Sequence, residues 1–318
     1  MSPSGLTICL ATCEPEAPWL VHQLETIRAQ THRDWHCLIS DDASGPTASA
    51  GLLAAIDGDP RFELTRQPLR LGFYRNFEAL LELARDRSAP LVALADQDDA
   101  WYPDKLARLA AGLAAAPDSQ LAYSDFRQVD EAGGIIASTF WQQRRDHPAD
   151  IVSLLVANSV TGAATLLRRE LLDSALPFPG LPGTAYHDHW LALCARALGP
   201  LTRIEAATYD RLIHPESVTA RDRVARETRP DGRQAFEVHY ARAAALATEL
   251  LARYPDRLDP GSRRRLGRIL VAPRSNRSLA WLAARSLRPL IGHNETKGIE
   301  RRLVRAILWH RRFGLAPK

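Results

Sequence analysis

The sequence predicts an α/β fold: a mostly parallel central sheet with helices on both faces, followed by a helical C-terminal region. Three observations predict it. Short apolar runs of strand length alternate with segments of helical periodicity from Leu6 to Ser124. Several of those runs stop at polar or acidic residues, as strands feeding βα loops do. Beyond about Ala220 the chain turns charged and helix-periodic.

In order, Leu6–Ala11 reads as a buried strand and Trp19–Gln30 as a helix with Leu20, Leu24 and Ile27 on one face. Trp35–Ser40 is a second strand, Leu52–Ile56 lies in a helix, and Arg61–Arg66 is a third strand. Asn76–Ala84 is helical through Phe77, Leu80, Leu81 and Ala84. Leu91–Ala95 is a compact apolar strand ended by Asp96-Gln97-Asp98-Asp99, and Pro103 can open the helix that runs through Ala114. Leu121–Ser124 and Ala163–Leu167 read as strands, Ile151–Val156 and Trp190–Leu198 as helices.

The 318 residues suit one large α/β domain, or one with an appendage, and 46% hydrophobic content is enough for a core. The expected division is a main α/β domain over residues 1–225 and a basic helical region over 226–318, with the boundary near Thr228–Gly232. No run approaches the roughly 18 apolar residues of a membrane span. The start, MSPSGLTICLAT, has no basic n-region, so no secretory signal is expected. Cys9, Cys13, Cys37 and Cys194 are spaced for neither a zinc site nor a disulfide framework and read as idle thiols in a reducing cytosol.

In an open sheet of this kind, ligands bind beyond the carboxyl ends of the strands. The first, second and fourth strands end in Thr12-Cys13-Glu14, Asp41-Asp42 and Asp96–Asp99, an acidic rim. Carboxylates as close as Asp96, Asp98 and Asp99 repel one another and raise each other's pKa. A divalent cation resolves that repulsion, and an oxygen-only donor set suits Mg²⁺ or Mn²⁺ shared with a substrate phosphate. The alternative is a solvated acidic turn that caps the next helix. Its position straight after a buried strand favours the site.

Ala95-Asp96-Gln97-Asp98-Asp99-Ala100-Trp101-Tyr102-Pro103-Asp104-Lys105-Leu106 resembles the D-x-D segment of family 2 glycosyltransferases with the GT-A fold, in the form found in rhamnosyltransferase-like members. Leu10-Ala11-Thr12 followed by Glu14 is similar to that family's first strand end. Leu38-Ile39-Ser40-Asp41-Asp42-Ala43-Ser44 resembles its "DD-x-S" segment, and Gly72-Phe73-Tyr74-Arg75-Asn76-Phe77 its "G-x-x-x-N-F" helix start. The combination covers roughly residues 5–220 and is specific where each piece alone is weak. The resemblance implies that Asp42 contacts a pyrimidine base with Asp41 beside it, and that Thr12 and Glu14 line the nucleoside pocket. Asp96 would lie near ribose and diphosphate and share the metal with Asp98, the direct ligand. Asp99 would bind substrate or cap the following helix, and Arg75 would reach a phosphate or stay at the surface.

An inverting transfer also needs a base for the acceptor hydroxyl's proton. Asp188, in Tyr186-His187-Asp188-His189-Trp190, follows the Pro/Gly-rich loop Pro177–Gly183 and matches the family's aspartate at this point; a bare helix N-cap is the alternative. Adjacent residues point different ways, so this cluster is not read as a chelate. Arg211–Val218 is similar to a late family stretch in which His214 would be a third metal ligand or touch the diphosphate, or serve structure alone; Pro215 departs from the family pattern.

Net charge divides unevenly. Residues 263–318 carry 15 Lys/Arg and two acids, whereas the rest carries 26 and 35, so an acidic body bears a basic end that points to an anionic partner. Leu266, Ile269, Leu270, Leu303, Ile307, Leu308 and Phe313 alternate with arginines, beside Trp281 and Trp309, as in a helix lying on an anionic membrane. Packing on the catalytic domain is the alternative, and no nucleic-acid module is recognised. Together these readings describe a cytoplasmic glycosyltransferase, peripheral on the inner face of the cell membrane. It would take a UDP- or dTDP-sugar, rhamnose from dTDP-rhamnose foremost, and act on a glycan or polyprenyl-linked acceptor with Mn²⁺ or Mg²⁺. A nucleotidyltransferase would show a Gly-rich phosphate loop that Leu10–Pro18 lacks, and a non-catalytic nucleotide-sugar binder would not need Asp42, Asp98 and Asp188 together.

Overall fold

The computed structural model describes residues 5–140, 150–181, 185–214, 232–287 and 294–313; the expected boundary at 228–231 and the stretch Pro215–Val218 lie outside them. The elements run β1 (Leu6–Thr12), α1 (Ala17–Arg28), β2 (Trp35–Asp41), α2 (Pro46–Ile56), β3 (Phe62–Arg66), α3 (Phe73–Arg85), β4 (Leu91–Ala95), β5 (Asp99–Trp101) and α4 (Lys105–Ala115). They continue with β6 (Leu121–Val129), β7 (Ile135–Ala137), α5 (Ile151–Val156), β8 (Thr165–Arg168), α6 (Leu171–Ala175), α7 (His187–Leu198) and β9 (Thr202–Leu212). After a helical and then π-helical stretch from Gly232 to Ala241 come α8 (Arg242–Arg253), α9 (Pro260–Val271), α10 (Asn276–Leu287) and α11 (Asn294–Phe313).

Two compact units emerge. The first holds Met1–Phe140, Val160–Phe178 and Gly199–Ile213; the second holds Trp141–Ser159, Pro179–Leu198 and His214–Lys318. The chain therefore does not divide by a single cut. The apolar faces of α5 and α7 group with the C-terminal helices, so two internal stretches belong to the second unit.

The first unit is the sheet, ordered β3-β2-β1-β4-β8-β6-β9-β5 with β7 paired to β6. β1, β2, β3 and β4 are mutually parallel, and β6 pairs parallel with β9. β8 runs antiparallel between β4 and β6, and β5 antiparallel to β9. Apolar residues of β1, α1 and α4 (Leu6, Ile8 and Leu10; Leu24 and Ile27; Leu109 and Leu113) form one core with Phe126 and Tyr209.

Around the acidic turn, two elements differ from the sequence expectation. The helix expected to open at Pro103 begins at Lys105, with Asp104 at the cap position. Ahead of it, Asp99–Trp101 is a strand, captured by β9 through the pairs Asp99↔Arg211, Ala100↔Asp210 and Trp101↔Tyr209. Asp99 is thus not the helix cap. A three-residue strand has no periodicity of its own, so only the partner reveals it.

In the second unit α7 is buried along most of its length, from His187 to Ala197. His189 Nε2 bonds the Leu154 carbonyl at 2.7 Å, tying α7 to α5. α8 buries Ala243, Leu246, Ala247 and Leu250, one helical stripe. Leu266 and Ile269 of α9, and Leu303, Ala306 and Ile307 of α11, are also buried. The apolar stripes of the basic helices therefore face the interior of their own unit. Arg285 Nε donates to Glu300 at 3.1 Å, and the same guanidinium reaches Asp150 and, at 2.6 Å, Ser153. Cys9, Cys37 and Cys194 are buried and Cys13 is half-buried, all free thiols.

Burial pushes the His187 and His189 imidazoles down, to about 3 and about 4. Both are neutral in the fold, while in the unfolded chain they take up protons as pH drops through about 6.5. The folded state therefore loses stability as pH falls from neutrality toward 4, by roughly 3 kcal/mol through His189 alone. Urea denaturation at pH 7 and near pH 4 should show a smaller acid loss for His189→Gln than for the wild type; equal losses would remove His189 from the acid response.

Candidate nucleotide and metal site

Parallel pairing places the acidic strand ends side by side. Thr12 sits opposite Asp41 and Leu10 opposite Ala95, so the residues after β1, β2 and β4 leave one edge of the sheet. This is where open parallel sheets hold ligands.

Thr12, Asp41 and Asp42 are 1%, 0% and 1% exposed. Asp41 Oδ1 accepts from the hydroxyls of Thr12 at 3.1 Å and Ser44 at 2.5 Å, and Oδ2 accepts from Ser44 N at 3.2 Å. Arg66 pairs with it at 3.7 Å. Asp42 accepts from the backbone N–H groups of Leu71 at 2.5 Å and Gly72 at 2.9 Å. These carboxylates fix the loop after β2 and the entrance to α3. Glu14 stands in solvent above them; its carboxylate accepts from Gly45 N at 2.9 Å and Arg70 at 3.3 Å.

Glu14 and Ala43 both have left-handed backbones, with φ of 46° and 53°. Each costs a non-glycine residue about 1–3 kcal/mol, and such strain gathers at ligand clamps and active sites. Both follow strand ends of this rim. A residue passed over in the sequence joins two of its loops: Gln97 Oε1 accepts from Cys13 N at 2.8 Å and its amide nitrogen donates to Cys13 O at 3.3 Å. Buried Asn76 likewise joins α3 to β2 through Ser40, donating to its carbonyl at 3.0 Å and accepting from its hydroxyl at 2.5 Å. Arg75 is engaged from the same helix. Its guanidinium pairs with Glu78 and donates to Phe178 O at 3.2 Å.

Asp96 and Asp98 are half-buried, and Asp99 is 2% exposed. Burial, then the charge of Asp98, raises the Asp96 pKa; burial, then Asp96 and Asp98, raises that of Asp99 further. Asp99 Oδ2 is buried with no hydrogen-bond partner among the described residues. Two cations answer this charge. Arg211 faces Asp99 across the β5–β9 ladder. Lys105 is wholly buried; its ammonium donates to Ala163 O and lies 4.0 Å and 4.1 Å from the Trp101 and Tyr209 ring centroids. Burial lowers the Lys105 pKa, against the opposing pull of Asp99 and Asp96. A lysine in the first turn of a helix reads as solvated in sequence, so only the fold reveals this role.

Among the described residues no three His, Cys, Asp or Glu side chains gather into a metal cluster. Mg²⁺ and Mn²⁺ need no such cage, because one or two carboxylates plus substrate phosphate suffice. The crowded carboxylates of the turn, one buried oxygen among them unpartnered, fit a divalent cation in donor chemistry. His214 and Asp188 belong to the second unit. His214 is 9% exposed, one residue past the sheet unit. Asp188 lies within the first turn of α7 rather than ahead of it, and its Oδ1 accepts from Asn158 Nδ2 at 3.0 Å and His189 N at 2.6 Å.

The model of the family described as "Glycosyl transferase family 2" matches residues 7–175, more than half of the chain and every rim residue described above. A stretch of 242 residues, 74% of the chain, is 26% identical to the uncharacterized protein y4gI of Sinorhizobium fredii; the chain spans about a quarter of that relative's length, 25%. Among solved structures, S. aureus TarS 1–349 in complex with UDP-GlcNAc is similar at TM-score 0.60 and 14% identity, over 99% of this chain and 93% of that one. The mannosyltransferase PcManGT from Pyrobaculum calidifontis, in complex with GDP-Man and Mn²⁺, is similar at TM-score 0.52 and 15% identity, over 98% and 88%. At these identities the likeness is one of fold.

Removing the buried ammonium leaves Arg211 alone to answer Asp99 and Asp96. Lys105→Met should lower unfolding stability by about 3 kcal/mol in urea melts, and adding Asp99→Asn should restore much of the loss. A single variant as stable as the wild type would show that Lys105 carries no such burden.

Proposed function

The chain belongs to glycosyl transferase family 2, and on that footing we propose that it is an inverting glycosyltransferase that moves a sugar from a nucleotide-diphosphate donor to a glycan or polyprenyl-linked glycan acceptor. The observation that carries the reading is the rim itself: three acidic strand ends on one sheet edge, two of them followed by strained non-glycine residues.

On this reading a pyrimidine donor, UDP- or dTDP-linked, lies over Thr12, Glu14, Asp41 and Asp42. Because Asp41 and Asp42 are buried and already bonded to the fold, their contribution is to hold the loops that shape the base pocket. Asp98, with Asp96 beside it, would hold Mn²⁺ or Mg²⁺, which when bound screens the charge that builds on the departing diphosphate. Asp99, balanced by Lys105 and Arg211, keeps the turn in place. The family resemblance puts rhamnose from dTDP-rhamnose first among donors.

In the transfer, the acceptor hydroxyl oxygen bonds to the anomeric carbon from the face opposite the diphosphate. The carbon–oxygen bond to the diphosphate breaks with its electron pair on the phosphate oxygen, so configuration inverts. The acceptor proton passes to a base, the role assigned to Asp188, whose carboxylate Asn158 orients. His214 is assigned beside the diphosphate. A cytoplasmic enzyme, peripheral on the inner face of the membrane, would meet a polyprenyl-linked acceptor there.

Thermal-shift screening against UDP-, dTDP- and GDP-sugars, with and without Mn²⁺, tests the donor: the right one raises the melting temperature, and more so with metal. No shift with any of them would sink the reading. Asp98→Ala should abolish the Mn²⁺-dependent part of that shift and of donor turnover. Asp188→Asn should keep the shift yet slow transfer by about 100-fold or more; undiminished turnover in that variant would strip Asp188 of the role.

A further inference from the structure

α11 has two faces of opposite character. Leu303, Ala306 and Ile307 are buried, and one turn on His310 stacks on Phe236 at 4.3 Å. On the other side Arg301, Arg305, Leu308 and Arg312 recur at steps of four, three and four, which is a single helical stripe. All four are exposed, Leu308 to 51%, and Phe313 beside them to 57%. No ion pair among the described residues involves Arg301, Arg302, Arg305 or Arg312, and the nearest described acid, Glu300, is buried against Arg285.

We propose that this outer face of α11 docks the protein on an anionic phospholipid surface. Charge complementarity argues for the partner: every charge on the stripe is cationic, with no exposed carboxylate among its described residues. Leu308 and Phe313 argue for a bilayer over nucleic acid. A phosphodiester backbone offers large aliphatic and aromatic side chains no apolar phase, whereas the headgroup–acyl boundary does. The helix is also held from behind. Arg311 donates to Pro273 O at 2.7 Å, to Asn276 at 2.7 Å and to Ala272 O at 2.5 Å, which anchors it to the end of α9. The stripe is thus presented by a fixed helix in its own unit. No described helix is long and apolar enough to cross a membrane; in the proposed docking α11 would lie in the interface plane. The inference deepens the peripheral placement proposed above and does not depend on the transfer reaction.

Sedimentation of the full chain with vesicles of phosphatidylcholine containing one-third phosphatidylglycerol, against phosphatidylcholine alone, tests it. Binding should require the anionic lipid and weaken as salt is raised. At about 1 kcal/mol per cation, the triple variant Arg301→Gln/Arg305→Gln/Arg312→Gln should bind on the order of 100-fold more weakly. Leu308→Ser/Phe313→Ser should also bind more weakly, which simple counter-ion attraction would not produce. Unchanged melting temperatures confirm that the variants fold. Equal binding to both vesicle types, no binding, undiminished binding of the Leu308→Ser/Phe313→Ser variant, or binding to duplex DNA or RNA that the anionic vesicles cannot displace would each overturn the proposal. No donor sugar enters the assay, so failure here leaves the transfer reaction standing, and the reverse holds too.

Discussion

Five aspartates crowded at the end of a parallel sheet need their charge answered within the fold. Asp41 and Asp42 are answered by backbone N–H groups, hydroxyls and Arg66. Asp96 and Asp99 are answered by Lys105 and Arg211, two cations from neighbouring elements. The difference matters. Groups bonded to many fixed donors are committed to architecture, whereas the half-buried Asp96 and Asp98 keep the capacity to meet a cation. The rim therefore divides into a frame after β2 and a reactive turn after β4. The metal position proposed above follows from that division.

Much of this was legible in the sequence because its cause is local. Apolar runs gave β1, β2, β3 and β4 nearly to the residue, and parallel pairing then forces their ends onto one edge. The acidic residues could be read as a rim before any register was known. What escaped reading depends on partners far along the chain. β9 alternates charged and apolar residues weakly, since Arg203 and Glu205 face solvent. β5 exists only because β9 passes beside it. Lys105 is indistinguishable from a surface lysine until Trp101, Tyr209 and Ala163 are brought around it.

The basic helices show why a hydrophobic pattern alone does not name its partner. Alternating leucines and arginines in α9 and α11 fit a membrane-lying helix and a packed one equally well. The structure resolves the apolar stripe in favour of packing, and leaves the cationic stripe of α11 exposed. The packing reading holds for the buried side of α11, and the membrane reading rests on the proposal for its exposed side.

Gln97 carries a consequence of a different kind. Its amide grips both polar groups of a single residue, copying one rung of a β-ladder with a side chain. Slow deamidation would convert the nitrogen end into a carboxylate oxygen facing the Cys13 carbonyl. Two acceptors would then oppose each other, and a further negative charge would join Asp96, Asp98 and Asp99. The rung would open on chemical ageing, with no change in the sequence the gene encodes.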